Sequence, residues 1–310
     1  MSIKKCSFCS EKSIYVENIY YNVFKSKLEK RITHYCKKHF IEYFEDKVKK
    51  TIKRFNLLKK NEKVCIAASG GKDSSSLLFL LKKLNYNVEA LAVDEGIKGY
   101  RDKTLRDLKN LCKNHNINLK IVSFKENFGL SLDNIVEKEK RPCSACGILR
   151  RRLLNYYSKD YDLIATGHNL DDESQAILMN LFKGNIDLLK RLGPVSGERK
   201  IKNFTKRVKP FYFCSEKEIL IYSFLNKLEI SYNECPYVFN SFRAKVRDFL
   251  NKRESEKNGI KYSIVNWFLK LKFKESYENL RYCKICNEPS SNDICNVCKY
   301  IEMLRNDKFK

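Results

Sequence analysis

A short apolar run, Lys63 to Ala68 (KVCIAA), stops abruptly at Ser69-Gly70-Gly71-Lys72-Asp73-Ser74. A helical pattern with Leu77, Leu78, Leu80, Leu81 and Leu84 follows at once. A strand that becomes a helix through two glycines has few ways to fold. The backbone curls so that successive N–H groups face inward, and the helix N-terminus adds positive potential at the same point. The segment is therefore expected to bind an anion, and a phosphate chain above all. Walker A is excluded, because with the lysine in register it needs Gly at position 66 and Ser or Thr at position 73, where this chain has Ile66 and Asp73. A plain glycine turn with a helix cap is the alternative, and the six motif residues at the end of the first strand argue against it.

Downstream the pattern alternates. Asn87 to Val93 reads as a strand, 100–115 as a helix, Ile117 to Phe124 as a strand and 145–158 as a helix. Asp162 to Ala165 reads as extended, 172–183 as a helix, Val208 to Phe213 as a final strand, and about 216–228 as a helix. This alternation predicts an α/β fold, a parallel sheet with helices on both faces and a ligand at the carboxyl ends of the strands. The hydrophobic share of 43% supports a packed core and excludes global disorder. No run approaches the ~18–20 apolar residues of a membrane span. Met1 to Ser10 is polar, with no apolar signal segment, so a cytoplasmic protein is expected. The expected organisation is an N-terminal metal-binding module at 1–45, a catalytic domain at 46–255, a helical connector at 256–275 and a C-terminal module at 276–310. Each end is too short to bury a core without a staple.

The 13 cysteines supply candidate staples. Cys283-x2-Cys286-x8-Cys295-x2-Cys298 has the two close pairs of a tetrahedral zinc site, with an iron–sulfur site as the lesser alternative. Cys6-x2-Cys9 combines with Cys36-x2-His39 into a Cys3His site, with His34 as a competing fourth ligand. A third pair, Cys143 and Cys146, opens the helix that carries Arg150, Arg151 and Arg152, and its nearest plausible partner is the distant Cys235. Thiols at a helix N-terminus are expected to have lowered pKa values. Three cysteines suit a 4Fe–4S cluster with one open iron, a redox dithiol or a persulfide carrier, and spacing does not choose among these. Cys65, Cys112 and Cys214 are expected to be buried core thiols, and Trp267 a packing residue of a helix within Tyr262 to Phe273.

Charge points to the partner. With 62 Lys+Arg against 37 Asp+Glu, the net charge of +25 favours a polyanion, nucleic acid first and acidic lipid second. A coding bias toward lysine is the competing explanation. Basic residues gather near Arg141, at Arg150 to Arg152, along Arg199 to Lys209 and through Arg243 to Arg253.

The loop resembles the PP-loop of the ATP pyrophosphatase superfamily, which cleaves ATP between its α and β phosphates. Together with the central Cys-x2-Cys, the downstream cysteine and the cysteine modules at both ends, the whole chain resembles the PP-loop enzymes of tRNA 2-thiolation. Further matching stretches are Val93 to Ile97, Gly99 to Asp102, Cys146 to Arg152, Thr166 to Asp172, Asn180 to Asn185, and Glu234 to Tyr237 followed by Phe242-Arg243. Within the family, the resemblance is closest to the archaeal and eukaryotic cytosolic branch acting on the wobble uridine at position 34. The branch acting on position 54 often has Lys where this chain has Arg150, and it differs after the strand-two aspartate, Asp94.

The resemblance implies that Ser69, Gly70, Gly71, Lys72, Asp73 and Ser74 bind ATP phosphates, with Asp73 helping to hold Mg2+. Asp94 would lie by the nucleoside, Arg150 and Gly167 would line the nucleotide site, and Asp172 would organise metal or substrate. Cys143, Cys146 and Cys235 would hold a 4Fe–4S cluster, and two Zn2+ would sit in the terminal modules. Capping of the following helix is the alternative for Asp171, Asp172 and Glu173, and a structural hydrogen bond is the alternative for His168. The implied reaction is adenylation of a uridine C2 oxygen followed by sulfur attack. The implied partners are tRNA, a sulfur donor (free sulfide, a desulfurase persulfide or a ubiquitin-like thiocarboxylate) and a second copy in a homodimer. The competing functions are thiolation of position 54, a cluster-free persulfide route, adenylation followed by amine attack, and a zinc-ribbon tRNA-binding protein without activity.

Overall fold

The computed structural model describes residues 4–19, 31–137, 142–196, 205–238, 241–271, 273, 281–290 and 292–306. Arg141 and residues 199–204 of the expected basic surface lie outside the described residues. The N-terminal module is a hairpin, β1 (Tyr15–Ile19) and β2 (Arg31–Tyr35), leading into the long helix α1 (Lys37–Phe55), which runs unbroken past position 45. The core then alternates: β3 (Lys63–Ala67), α2 (Lys72–Lys83), β4 (Asn87–Asp94), α3 (Arg101–Asn114) and β5 (Leu119–Ser123). Short helices α4 (Phe124–Phe128) and α5 (Leu132–Val136) precede α6 (Pro142–Tyr157), β6 (Leu163–Ala165) and α7 (Leu170–Phe182). Next come α8 (Ile186–Leu189), β7 (Val195–Ser196), β8 (Lys206–Val208) and α9 (Glu216–Leu225). Helices α10 (Phe242–Glu256) and α11 (Ile260–Lys270) lead to the C-terminal module of β9 (Arg281–Tyr282), β10 (Pro289–Ser290) and α12 (Asn296–Asn306).

Among the described residues the central sheet has six strands in the order β5-β4-β3-β6-β8-β7, parallel except for β7 at the edge. The chain builds outward from β3 through β4 to β5, then returns to place β6 on the other side of β3. Strand order therefore reverses between β3 and β6, and the space above the carboxyl ends at such a point is where sheets of this kind hold ligands.

The twofold periodicity of the strands sorts their side chains onto two faces. Val64, Ile66, Val88, Ala90 and Ala92 join a core with α1, α2, α3 and α9. The intervening Cys65, Leu91 and Val93 join a second core with α5 and α6. Each terminal module covers a different face. Tyr35, Phe40 and Phe44 pack into the first core beside Ile219 and Tyr222, with the Phe44 and Tyr222 rings stacked at 4.5 Å. Val297, Tyr300 and Ile301 of α12 pack against the second core beside Leu149 and Leu153.

Two expectations need correction. The last parallel strand ends at Val208, not Phe213: the chain turns through Pro210, which has no N–H to continue a ladder, and Tyr212 N–H closes on the Lys209 carbonyl. Trp267 is 46% exposed and points away from the packed face of α11, which is made by Val265 and Phe268. Cys65, Cys112 and Cys214 are buried in the core. No helix among the described residues is long and apolar enough to cross a membrane.

Candidate active site

The glycine loop sits at the point where strand order reverses. Gly71 is the N-cap of α2, and Asp73 lies in its first turn. The loop is tied by its own hydroxyls: Ser69 N–H donates to Ser74 Oγ at 3.0 Å, and Ser74 Oγ donates to the Gly71 carbonyl at 3.2 Å. Two glycines are required by close approach. Gly70 has φ of +79°, and a Cβ there would meet the Thr104 carbonyl oxygen at 2.3 Å. At Gly167, after β6, a Cβ would meet the Asp73 carbonyl carbon and Ser74 nitrogen at 2.8 Å. The loop after β6 therefore packs backbone to backbone on the phosphate loop.

The charged groups around this loop come from three further elements. Lys72 Nζ bonds Glu216 Oε1 at 2.6 Å and Asp73 Oδ2 at 3.1 Å. Desolvation raises the Asp73 carboxyl to about 6, against the attraction of Lys72 and with help from the nearby negative charges of Asp172 and Glu216. Asp172 stands in the first turn of α7, and its side chain closes a capping box with Asn169. Its other oxygen accepts from Arg243 at 3.1 Å, so Asp172 both caps its helix and faces the cleft. Asn169 Nδ2 reaches Asp73 Oδ1 at 3.3 Å, which links the two carboxylate positions. Asp171 points the other way, accepting from Glu216 N–H at 2.8 Å and pairing with the buried Lys261. Asp94 turns back to accept from Gly96 N–H at 2.9 Å. His168 meets Thr166 Oγ1 at 2.8 Å. Desolvation, then the cations Lys209, Arg243, Arg150 and Arg207, push its imidazole down, although the side chain opens to solvent.

Cys143 and Cys146 lie in the first turns of α6, and the Cys143 thiol donates to the Tyr237 carbonyl at 3.3 Å, beside Cys235. Cys146, Cys235 and Tyr237 share the edge of the second core. Contrary to the expected helix-terminus effect, desolvation pushes the Cys146 thiol up to about 12, with only partial relief from Arg150. Burial also raises Cys235.

One turn beyond Cys146, Arg150 Nη1 lies 3.6 Å from Glu95 Oε1, whose other oxygen is 2.7 Å from Arg101 Nε. Arg101 is buried and donates to the Val93 carbonyl at 2.6 Å and to the Ser69 carbonyl. An unbroken run, Arg150–Glu95–Arg101–Ser69, thus joins the cysteine helix to the phosphate loop across the strand ends. The roles of Glu95, Arg101, Glu216 and Lys261 were missed from sequence. Ser215 and Glu218 form the capping box that starts α9, but the neighbour of Glu216 depends on sheet order.

The terminal groups are more compact. Among the described residues, Cys6, Cys9, Cys36 and His39 bring one donor atom each to within 4.8 Å of one another, and so do Cys283, Cys286, Cys295 and Cys298. Sulfurs around a tetrahedral zinc at 2.3 Å stand roughly 3.8 Å apart, and here Cys9–Cys36 and Cys286–Cys295 are both at 3.7 Å. His39 presents Nδ1 at 3.4, 3.5 and 3.2 Å from the three sulfurs. His34 instead pairs with Val16 in the hairpin. Burial opposes ionisation of Cys6 and Cys283, but backbone N–H donors overcome it and bring each thiol down to about 6. The donor sets fit zinc. The three central cysteines are not gathered in this way: Cys143 is exposed, and Cys146 and Cys235 are half-buried.

Residues 41–254 match the PP-loop domain family. The tRNA-5-methyluridine(54) 2-sulfurtransferase of Pyrococcus horikoshii is 38% identical over 314 residues, spanning 99% of this chain and 96% of that protein. The Dictyostelium discoideum cytoplasmic tRNA 2-thiolation protein 1 is 36% identical, spanning 89% and 79%. The solved structure of the U34-tRNA thiolase NcsA from Methanococcus maripaludis with its 4Fe–4S cluster superposes with a TM-score of 0.81 at 37% identity, covering 98% of this chain and 97% of that one. With a phosphate loop that is not Walker A, an open cysteine trio and this depth of similarity along nearly the whole chain, the protein belongs to the PP-loop family of tRNA 2-thiolation sulfurtransferases.

Proposed function

We propose that the protein is an ATP-dependent tRNA-uridine 2-sulfurtransferase. The observation that carries this reading is the Arg150–Glu95–Arg101 run, which links the helix bearing Cys143 and Cys146 to the glycine loop. The loop N–H groups and Lys72 hold the β and γ phosphates of ATP, and Asp73 and Asp172 supply the hard oxygen ligands that suit Mg2+. The uridine C2 oxygen attacks the α phosphorus, the bond to the β-phosphate oxygen breaks, and pyrophosphate leaves with the negative charge. A sulfur nucleophile then attacks C2, and the C2–O bond breaks to release AMP. Arg150, on the cysteine side of the cleft, is placed to neutralise the α phosphate in both steps. Cys143, Cys146 and Cys235 would hold a 4Fe–4S cluster, which when bound would supply an iron site for sulfur. The terminal tetrads would each hold one Zn2+. The sulfur donor is free sulfide, a persulfide or a thiocarboxylate, and the assembly is read as a homodimer.

Relatives named for either uridine are similar to this chain at nearly equal identity, 38% and 37%. Arg150, where the position-54 branch often has Lys, favours position 34. The test is anaerobic incubation of the iron-loaded protein with ATP, sulfide and unmodified tRNA, followed by digestion and nucleotide mapping. 2-Thiouridine at position 34, with stoichiometric AMP, is expected. Thiolation at position 54 would correct the position, and no thiolation with an intact cluster would defeat the reading.

A further inference from the structure

The far end of α7 carries an exposed apolar surface that nothing in the fold covers among the described residues. Phe182 is 61% exposed and Phe242 is 41% exposed, and their rings meet edge to face at 6.5 Å. Leu181 and Ile186 are exposed beside them in sequence. Stable monomer surfaces scatter such residues singly, so a cluster needs a reason.

Its position supplies one. Phe182 lies ten residues along α7 from Asp172, about 15 Å at the helical rise. Phe242 is next to Arg243, whose guanidinium reaches Asp172 at 3.1 Å. One turn further along α10, Arg247 pairs with Glu234, the neighbour of Cys235, at 3.1 Å. The first turns of α10 therefore rim the cleft between the ATP side and the cysteine side, and the two rings form the outer lip of that rim. Lys183 Nζ stands 5.2 Å from the Phe242 ring centre, which interleaves a cation with the aromatic pair.

We propose that Phe182 and Phe242 are a stacking platform for unpaired RNA bases next to the target uridine, with Lys183, Arg243 and Arg247 meeting the phosphates between them. This rests on the sulfurtransferase reading above and adds the residues that hold the splayed loop. To present its C2 edge to the cleft, the target must leave the helical stack, and its neighbours then lose stacking partners. Aromatic faces replace that stacking without regard to base identity. The composition separates RNA from a second copy of this chain as the occupant, because the cores of protein interfaces are depleted in lysine, whereas here Lys183 lies directly over the ring.

The test uses the full-length protein, an unmodified tRNA transcript, and the same transcript with 2-aminopurine beside the target uridine. The variants are Phe182→Ala/Phe242→Ala together, and Phe182→Trp/Phe242→Trp as the conservative pair. Both rings are exposed, so the melting temperature should hold. Stacking is worth about 1–3 kcal/mol per base, so the alanine pair is expected to weaken tRNA binding about 5- to 160-fold for each base that loses its platform. The 2-aminopurine signal should return toward that of free RNA, the slope of log Kd against log salt should not change, and the tryptophan pair should restore binding. Equal tRNA affinity in wild type and the alanine pair overturns this inference alone. Unchanged affinity with a fall from dimer to monomer mass overturns it and assigns the face to a second copy. Wild-type protein without tRNA affinity overturns the sulfurtransferase reading and this inference with it.

Discussion

The two cysteine tetrads are alike in chemistry but brace opposite faces of the sheet. From the N-terminal tetrad, Cys36 is the N-cap of α1, and α1 sends the buried Lys47 to Glu218 of α9 at 2.8 Å. Two residues before Glu218, Glu216 holds the phosphate-loop lysine. From the C-terminal tetrad, Glu288 sits between Cys286 and Cys295 and meets Arg152 and Lys159, at 2.8 and 2.7 Å, on and just past α6. The same core cluster that receives α12 also receives Cys146 and Cys235. One module thus stiffens the face carrying the Lys72–Glu216 pair and the other the face carrying Cys146 and Cys235, and the Arg150–Glu95–Arg101 run joins them across the strand ends. Small modules whose donor sets fit zinc brace the two faces of the sheet.

The largest expected effect tests whether the faces act separately. Cys143→Ser should abolish 2-thiouridine formation while leaving ATP binding at the wild-type level, since the Cys143 thiol bonds the Tyr237 carbonyl on the cysteine face. Isothermal titration with ATP beside tRNA digestion reads both at once. Loss of ATP affinity in this variant would break the division.

Next in size is the buried pair on the ATP face. Burial opposes the charge on Lys47, but Glu218 outweighs it and raises the amine, and Tyr43 adds a 2.6 Å bond to the same carboxylate. Lys47→Met leaves Glu218 buried without its partner and should cost about 3–5 kcal/mol of stability. Lys47→Met/Glu218→Leu should recover most of that. Urea unfolding measures both, and a loss below about 1 kcal/mol in the single variant would show that α1 is not a brace.

The C-terminal counterpart is smaller because its cations reach solvent, at 17% and 29% exposure for Arg152 and Lys159. Glu288→Gln takes the negative charge out of two hydrogen bonds, each worth about 1.5–3 kcal/mol between charged groups before discounting for that exposure. The expected result is a severalfold slower thiolation and faster iron loss under chelation, with ATP affinity unchanged. A change confined to ATP affinity would reverse the assignment of faces.

Much of this division was legible in sequence. The phosphate loop, the parallel sheet and both tetrads follow from local spacing, because each is built by residues within a few turns of one another or by donor types that rarely occur together by chance. His39 over His34 was legible for the same reason, since Cys36-x2-His39 spans one helical turn. Long-range facts were not. The bond from Arg101, the partner of Glu95, to the Ser69 carbonyl depends on β4 lying beside β3, and Lys261 lies 90 residues from the Asp171 it holds. The depressed pKa expected for Cys146 failed because a helix N-terminus is a local feature, whereas the burial that outweighs it comes from packing against distant residues. Trp267 failed likewise: helical spacing says that one side of α11 is packed, but not how wide that side is.

The smallest expected effect bears on how the ATP face is held before nucleotide arrives. Glu216 is 45% exposed and Lys72 is 19% exposed at the side chain, so their ion pair is partly screened. ATP must take Lys72 from Glu216, which makes the pair a cost of binding. Pairs of this exposure contribute about 0.2–1 kcal/mol, so Glu216→Gln should tighten ATP binding between about 1.4-fold and fivefold without Mg2+ present. Its backbone N–H still donates to Asp171, so the start of α9 should keep its place. If Glu216 instead helps hold Mg2+, the same variant would weaken binding only when Mg2+ is added. Titration of ATP with and without Mg2+ separates the two: tightening in both conditions marks a counter-ion that gives up its lysine, and Mg2+-dependent weakening marks a third carboxylate of the metal site beside Asp73 and Asp172.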